Sequence, residues 1–336
     1  MSQVLNRLLE RREALLAVVI IVTCIIFAVA SPTFLSAAHL FGIARSTVVI
    51  GIMALGVMTV LLTNGIDISV SATAVAAMYV TTVTLRALDY QGPFIVAVLL
   101  AMLIGGLLGA INGVLVAFLR LPSMIVTIGT LTMYRGALLA FVGTERIHDL
   151  PAQMSEFSRS NLIQMQSVGR TVQLHTSVLL YVVLAILLAL ALTYVWWGRQ
   201  IYAIGDNEEA AKRMGVRADA IRTSAFVVSG ALAGLAGILY AAMNRAADPS
   251  TFVGTEMTVL AAVVLGGTSV MGGRGSVLGT FLGVLLITIV GSSLVLVGIP
   301  VAWQSLFVGA FLLFGVCVPA IRNRSIQRKR GLVVFE

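Results

Sequence analysis

Polar residues interrupt a long apolar stretch between positions 64 and 71, and their types could do chemistry. Polar groups inside such a stretch are costly to bury, so they mark candidate solute pathways. Gly65 can end a helix, which frees backbone groups that protein or a water-filled cavity must satisfy. Three interpretations stay open: a solute path, a tight turn in which Asp67 caps the next helix, and a contact with a partner. The residues concerned are Asn64, Gly65, Asp67, Ser69 and Ser71.

Three more polar side chains stand in apolar segments farther along the chain: Asn112, Thr127 and Gln304. Asn112 lies in a glycine-rich run and is equally compatible with a hydrogen bond between helices and with a solute ligand. Thr127 and Gln304 each follow a proline that begins an apolar segment, and they are weaker candidates. Together with Asn64, Gly65, Asp67 and Ser69, these three make up the predicted substrate pathway.

The chain offers no arrangement of residues typical of catalysis. No Ser–His pair, facing Asp pair or His–Glu–His cluster occurs at a catalytic spacing, and the three histidines lack metal-ligand spacing. Neither lysine follows a glycine, so the phosphate-binding loop of nucleotide hydrolases is missing. We therefore expect no enzyme activity, no metal and no cofactor, and transport would draw its energy from another protein.

A polar stretch between residues 205 and 217 predicts a short capped helix. Asp206 or Asn207 can serve as the N-cap, and acidic residues follow in the first turn, where the helix dipole favours them. Gly215 can supply the left-handed residue that ends the helix. Such a helix can be gripped by a soluble partner, although an ordinary basic connecting loop is the alternative. The predicted contact residues are Gly205, Asp206, Asn207, Glu209, Ala210, Ala211 and Gly215.

The composition indicates how these residues are positioned. The 336 residues are 59% hydrophobic and 11% charged, with a mean hydropathy of +1.03, whereas soluble domains carry about 25% charged residues. About 20 apolar residues are needed to cross a bilayer, and ten candidate segments occur. The eighth is shorter and runs into a glycine-rich stretch at 266–276, for which a re-entrant and a spanning arrangement both stay open. The candidates are Ala14–Ala30, Ile43–Leu62, Ile68–Leu85, Phe94–Phe118, Met124–Val142, Ser177–Trp197, Thr223–Ala242, Met257–Gly267, Val277–Val297 and Val301–Ala320.

The distribution of Lys and Arg predicts the orientation of these segments. With the N-terminus inside, 15 of the 22 cations fall in cytoplasmic segments, as the positive-inside rule requires. The basic balance of the chain is thus explained by topology, and nucleic acid is not an expected partner. We expect a single all-α membrane domain over 1–336, with 13 cytoplasmic N-terminal residues, a cytoplasmic loop at 198–222 and a cytoplasmic tail at 321–336. The first apolar segment resembles a cleavable signal peptide, but we expect it to be retained.

An internal similarity links the fourth and ninth segments. Residues 105–116 and 275–286 share three glycines and most aliphatic positions, and each copy precedes a segment that begins with proline. The copies are five segments apart, an odd offset, so they cross the membrane in opposite directions, as in inverted-repeat transporters. The alternative is that the glycines only allow close helix packing.

Taken in order, these motifs resemble the ribose-type sugar ABC importer permeases over nearly the whole chain. The resemblance rests on residues 64–70, 112–113, 122–131, 264–267 and 272–276, and on Glu209-Ala210-Ala211 with Gly215 as the importer coupling pattern. Asn64 and Ser71-Ala72 depart from the family's usual Gly and Gly-Ser. The resemblance implies two permease subunits, identical or paralogous, two cytoplasmic ATPase subunits on the coupling loops, and a periplasmic solute-binding protein.

The expected function is therefore that of a multi-pass inner-membrane permease subunit importing a monosaccharide or a similar polyol or furanosyl solute. Two alternatives stay open. One is a related ABC permease for branched-chain amino acids or nucleosides, and the other is a channel or carrier that works without an ATPase.

Overall fold

The computed structural model describes residues 12–167, 170–300 and 302–313, and this part of the chain forms a bundle of helices with one β-hairpin. The predicted tail at 321–336 lies outside the described residues. Helices α1 to α6 are Arg12–Ala30, Ala37–Leu62, Val70–Ala87, Phe94–Ala117, Ser123–Ala137 and Ala152–Phe157, with a π-helical turn Leu138–Val142 after α5. Strands β1 and β2 are Asn161–Ser167 and Arg170–His175. Helices α7 to α13 are Ser177–Tyr194, Trp196–Asp206, Glu208–Arg213, Ala218–Asn244, Thr255–Leu265, Val277–Leu296 and Ala302–Leu313.

Each of the ten predicted apolar segments contains a helix, with shifted ends, although Val301 and residues 314–320 of the tenth lie outside the described residues. Within the described residues, eight helices are long and apolar enough to cross a membrane, and α11 and α13 are shorter apolar helices. The sixth segment was predicted to reach Trp197, but α7 ends at Tyr194. Val195 is extended, with ψ 145°, and the chain turns there into α8.

Helix α10 occupies the middle of the bundle and packs against α2, α3 and α4. Glycines make this packing close. A Cβ on Gly105 would overlap the carbonyl of Gly230, and one on Gly109 would overlap the carbonyl of Phe226. Ala and Gly recur along the buried face of α10, so neighbouring backbones approach to within direct contact, which is the usual means of association between membrane helices.

The two similar segments pack in the same manner at different places. Gly279 and Gly283 of α12 lie against the carbonyls of Gly266 and Ala262, as the glycines of α4 lie against α10. The two helices also run in opposite directions. Close packing thus accounts for the shared glycine spacing, and the inverted-repeat relation stays a prediction.

The two ends of the bundle carry different structures. One end, here called the α9 end, contains α8, α9, the last turn of α2 and the first turn of α12. At this end Gly273 N–H, just before α12, donates to Leu62 O at 3.0 Å. The other, the hairpin end, holds α6 and the β-hairpin, in which β1 and β2 pair antiparallel. The hairpin was not predicted, because this stretch reads as a polar loop in an otherwise helical sequence.

Candidate functional site

The chain between α2 and α3 is non-helical and turns at Asn64. Asn64 adopts a left-handed conformation with φ 62°, which asparagine tolerates better than most residues. Asn can therefore occupy this left-handed turn without a glycine. The helix break predicted at Gly65 is present, since Gly65 lies in the non-helical segment between α2 and α3, but the left-handed residue is Asn64. Gly65 does not adopt positive φ, but a Cβ there would lie 3.0 Å from Val60 Cγ1, so its small size serves packing.

Asp67 is the centre of a buried hydrogen-bond network, here called the polar network, formed by Asp67, Ser69, Asn112 and Ser229. Asp67 Oδ1 accepts from Ser69 N at 3.0 Å and from Ser69 Oγ at 2.7 Å. Its Oδ2 accepts from Ser229 Oγ at 2.9 Å. Asn112 Nδ2 donates to Ser69 Oγ at 2.8 Å. The carboxylate therefore links the residue that caps α3 to α10, and α4 joins the polar network through Ser69 Oγ.

The polar network lies in the interior of the bundle. Ser229 is the twelfth of the 27 residues of α10, so it sits about 17 Å along the helix from the first residue, at about 1.5 Å per residue. Asp67 is only 5% exposed. Asp67 does accept an N–H at the start of α3, as the capping interpretation requires. The turn at Asn64 is exposed at the α9 end, and the chain then runs inward, so Asp67 accepts its N–H below the surface of the bundle.

Helix α5 satisfies the backbone that the break leaves free. Ser123 Oγ accepts from Ile66 N at 3.0 Å, and Thr127 Oγ1 lies 3.1 Å from Ile66 O. A buried N–H or C=O without a partner is destabilising, so the first turn of α5 holds the non-helical segment in place. Thr127, predicted as a pathway residue, is fully buried in this position.

A second polar cluster, not predicted from the sequence, lies beside the first residues of α3. Arg135 Nη2 lies 3.4 Å from Glu256 Oε2 and donates to Ser71 Oγ at 3.1 Å. Ser71 Oγ donates to Glu256 Oε2 at 2.7 Å. An arginine alone in an apolar segment calls for a counter-ion. That signal pointed to an acidic partner, but not to Glu256 at the start of α11.

The predicted pathway residues therefore separate into groups. Gly65, Asp67, Ser69, Asn112 and Thr127 come together at the break, and Asn64 is exposed next to Gly272 at the α9 end. Gln304 does not join them. Its side-chain amide lies against Gly291 of α12, where a Cβ would be 2.7 Å from Gln304 Nε2.

The short helix α9 forms as the sequence predicts. Asn207, rather than Asp206, is the N-cap, and its Oδ1 accepts from Ala210 N at 3.0 Å. Gly215 follows with φ +85°. Glu208 Oε1 pairs with Lys212 Nζ at 2.6 Å, and its Oε2 pairs with Arg222 Nη2 of α10 at 2.7 Å. Hydrogen bonds from Lys212 and then Arg222 lower the pKa of Glu208, so α9 is tied to α10 by an ionised carboxylate.

The predicted contact residues of this region differ in their surroundings. Glu209 is 87% exposed, with a marginal 4.0 Å pair to Arg213, and Asp206, Asn207 and Ala210 are also exposed. Ala211 is buried against α8 and α10. Gly205 packs at a backbone crossing, where a Cβ would overlap Leu62 O and Gly273 N. This crossing joins α8 to the last turn of α2, directly before the break.

Comparison with known proteins assigns this arrangement to a family. The permease family described as "Branched-chain amino acid transport system / permease component" matches residues 39–316. The autoinducer 2 import system permease protein LsrC of Salmonella typhi is 36% identical over 309 residues, which cover 92% of this chain and 85% of the relative. LsrC of Enterobacter sp. strain 638 is 35% identical over 98% of this chain and 92% of its own length. The chain belongs to the ribose and autoinducer-2 type of ABC permease.

This ABC permease also resembles LsrC of Escherichia coli strain K12 / DH10B, with 36% identity over 88% of this chain and 84% of the relative. No solved structure matches it. The match begins within α2 and covers the break, the polar network and α9. The multi-pass helical fold and the family agree, so the predicted class of membrane-embedded importer subunit is confirmed.

Proposed function

We propose that this permease carries a small furanosyl or monosaccharide solute inward across the bacterial inner membrane as part of an ABC importer. The solute class is supported by the relatives at 35–36% identity over most of the chain, which are autoinducer 2 import permeases. The family description favours a second candidate, a branched-chain amino acid.

A separate ATPase subunit binds the α9 region in this proposal. The observation that supports it is that two neighbouring carboxylates of α9 have different surroundings. Glu208 pairs with Arg222 of α10, while Glu209 is exposed and points away from the protein. Asp206, Asn207, Glu209 and Ala210 form the contact surface. Gly205, Ala211 and Gly215 give α9 its position and shape. Movement of α9 by the ATPase would pass to α10 through Arg222 and to α2 through the crossing at Gly205.

The α9 end faces the cytoplasm and the hairpin end faces the periplasm, with both termini cytoplasmic. The support for this orientation is the count over the sequence, in which 15 of the 22 cations fall in the segments predicted to be cytoplasmic, among them Lys212, Arg213, Arg217, Arg222 and Arg274 at the α9 end. Arginine and lysine accumulate on the cytoplasmic side of membrane proteins.

A second permease subunit, identical or paralogous, completes the pathway. Gly65, Asp67, Ser69, Asn112 and Thr127 hold the non-helical segment that forms part of its wall, and Asn64 is the exposed member of this set that can contact the solute. Gln304 would contribute from α13, on a separate part of the wall. Few charges line this route, because a periplasmic binding protein supplies most of the specificity. ATP then shifts the equilibrium between the inward-open and outward-open states of the permease only if the ATPase binds one of these states more tightly than the other.

A tagged pull-down in mild detergent, followed by mass spectrometry, tests this assembly. The expected result is co-purification of an ATPase and a periplasmic solute-binding protein, and the latter is then screened against pentoses, hexoses, autoinducer 2 and branched-chain amino acids. Recovery of this chain alone, under conditions that preserve a known ABC importer, would contradict the proposal. Binding of branched-chain amino acids only would replace the solute class with the second candidate.

A further inference from the structure

The ion pair of the second polar cluster lies at mid-depth in the bundle. Ser123 begins α5 beside the break, near the α9 end, and Arg135 is 12 residues farther along that helix, about 18 Å at 1.5 Å per residue. Glu256 is ten residues before Gly266, which lies against the first turn of α12 at the same end, about 15 Å away. Since the hydrocarbon core of a bilayer is about 30 Å thick, both charges lie near its middle.

The two charged groups are only partly covered by the bundle. The side chain of Arg135 is 22% exposed and that of Glu256 is 11% exposed. Arg135 makes all its contacts through Nη2, which lies within 3.4 Å of oxygens of Ser71, Phe252 and Glu256. Among the described residues, Arg135 Nε and Nη1 and Glu256 Oε1 have no partner, and none of these three atoms is fully buried. A molecule beside the ion pair can therefore reach them.

Hydrocarbon cannot satisfy these atoms. Charged side chains in membrane-spanning segments almost always face the interior of the protein or a water-filled cavity, and they mark solute pathways. A guanidinium has five N–H groups, and Nη2 carries two of them. Arg135 thus offers three N–H groups, and Glu256 offers one carboxylate oxygen, at the middle of the membrane.

A polar cavity adjoins the ion pair toward the hairpin end. Its volume is about 300 Å³, and its walls include Tyr240, Asn244, Asp248 and Phe252. This size is at the lower end of the range for small-molecule sites. Phe252 belongs to both structures, because its ring meets Tyr240 edge-on, with centroids 4.7 Å apart, and its carbonyl accepts from Arg135. A small solute that enters from the hairpin end therefore has polar and aromatic contacts next to the ion pair.

We propose that Arg135 and Glu256 bind two neighbouring hydroxyl groups of the solute as it passes mid-depth. A hydroxyl group both donates and accepts hydrogen bonds, so one hydroxyl donates to Glu256 Oε1 while the next accepts from Arg135 Nη1 or Nε. The pair carries no net charge, so it suits a neutral solute with several hydroxyl groups. This site rests on the proposed function, from which it takes the solute class.

The first test asks whether water reaches this face of the permease. Cysteine replaces Met257, which follows Glu256 and is 45% exposed, in a chain that carries Cys24→Ala and Cys317→Ala. During turnover in proteoliposomes with the ATPase and the binding protein, a membrane-impermeant methanethiosulfonate should label Met257→Cys at least tenfold faster than Leu103→Cys. Leu103 is the matched control, because it is 59% exposed in the middle of the apolar helix α4.

The second test separates contact with the solute from stability. The double variant Arg135→Met with Glu256→Gln removes the guanidinium donors and leaves no unpaired charge behind. Uptake of radiolabelled D-ribose, D-galactose, autoinducer 2 and leucine is measured together with ATP hydrolysis. For each hydroxylated solute that the wild type takes up, uptake should fall at least tenfold, while ATP hydrolysis stimulated by the binding protein stays within twofold of wild type. Arg86→Met with Asp149→Asn makes a similar change in an exposed ion pair and should transport normally.

Uptake by the double variant at the wild-type rate would overturn the site while the proposed function stands. An equal loss of uptake and ATP hydrolysis would overturn it too, because the ion pair would then serve folding alone. Met257→Cys that stays unlabelled would show that water does not reach this face, with the same consequence. Uptake of leucine alone would replace the hydroxyl groups with ammonium and carboxylate groups, and so would overturn the proposed chemistry. If the wild-type importer takes up none of the four solutes, the proposed function fails, and the site fails with it.

Discussion

Replacement of Ser229 by alanine removes one of the hydrogen bonds to the buried Asp67 carboxylate. Ser229 Oγ donates to Asp67 Oδ2 at 2.9 Å, and the remaining partner, Ser69, uses only Oδ1. A buried acceptor left without its partner costs about 1–3 kcal/mol, whereas hydrogen bonds between membrane helices average about 0.6 kcal/mol. Since Oδ2 would lose its partner in the interior, we expect a loss of about 2 kcal/mol, or roughly 30-fold in the unfolding equilibrium constant.

The assay is reversible unfolding in mixed micelles, followed by circular dichroism during titration with SDS. Thr81→Val is the matched control, because Thr81 Oγ1 is buried without a hydrogen-bond partner among the described residues. This control should be as stable as the wild type or slightly more stable. If Ser229→Ala loses less than about 0.5 kcal/mol, or no more than Thr81→Val, the polar network does not hold α3 to α10 and the reasoning is refuted.

Three further predictions concern packing, the second polar cluster and α9. Gly109→Val should prevent α4 from packing on α10 and abolish stable expression, whereas Gly136→Ala, with nothing within 4 Å of a new Cβ, should be tolerated in the same expression test. Arg135→Met should destabilise by about 3 kcal/mol, because the Glu256 carboxylate, 11% exposed, would keep its hydrogen bond from Ser71 but lose its counter-ion. The double variant with Glu256→Gln should recover most of the loss in SDS titration. Folding lowers the pKa of Glu208 from its ordinary value of 4.5. The ionised carboxylate therefore stabilises the fold at every pH above 4.5, and this stabilisation is lost only as the pH falls through the folded pKa. Hydrogen exchange of residues 208–213, corrected for intrinsic rates, should thus stay constant from about pH 5.5 to 7.5 and rise in Glu208→Gln.

Local signals in the sequence were sufficient for most helices and for α9. Apolar runs near 20 residues long predict membrane-spanning helices because the bilayer fixes their length. Asn207, the two acidic residues after it and Gly215 predict α9 because capping depends on neighbours in the chain. In both cases the physical cause acts within a few residues.

Contacts between distant segments could not be predicted in this way. Ser229 reaches Asp67 across 162 positions, and Arg135 meets Glu256 across 121. The sequence marks each polar residue as costly in an apolar environment, but only the packing of the helices selects its partner. The same holds for Gly205, whose motif suggested contact with an ATPase, while its position against Leu62 and Gly273 depends on three separate segments.

Transport by Glu209→Lys tests the central claim, that a separate ATPase drives this permease through α9. Glu209 is 87% exposed and its ion pair to Arg213 spans 4.0 Å, so the substitution should change folding stability by no more than about 0.5 kcal/mol. In proteoliposomes with the ATPase and the binding protein, we expect solute uptake to fall to background while the permease stays inserted, and Arg213→Ala, which removes the same ion pair, to transport normally. Uptake by Glu209→Lys at the wild-type rate would contradict the account.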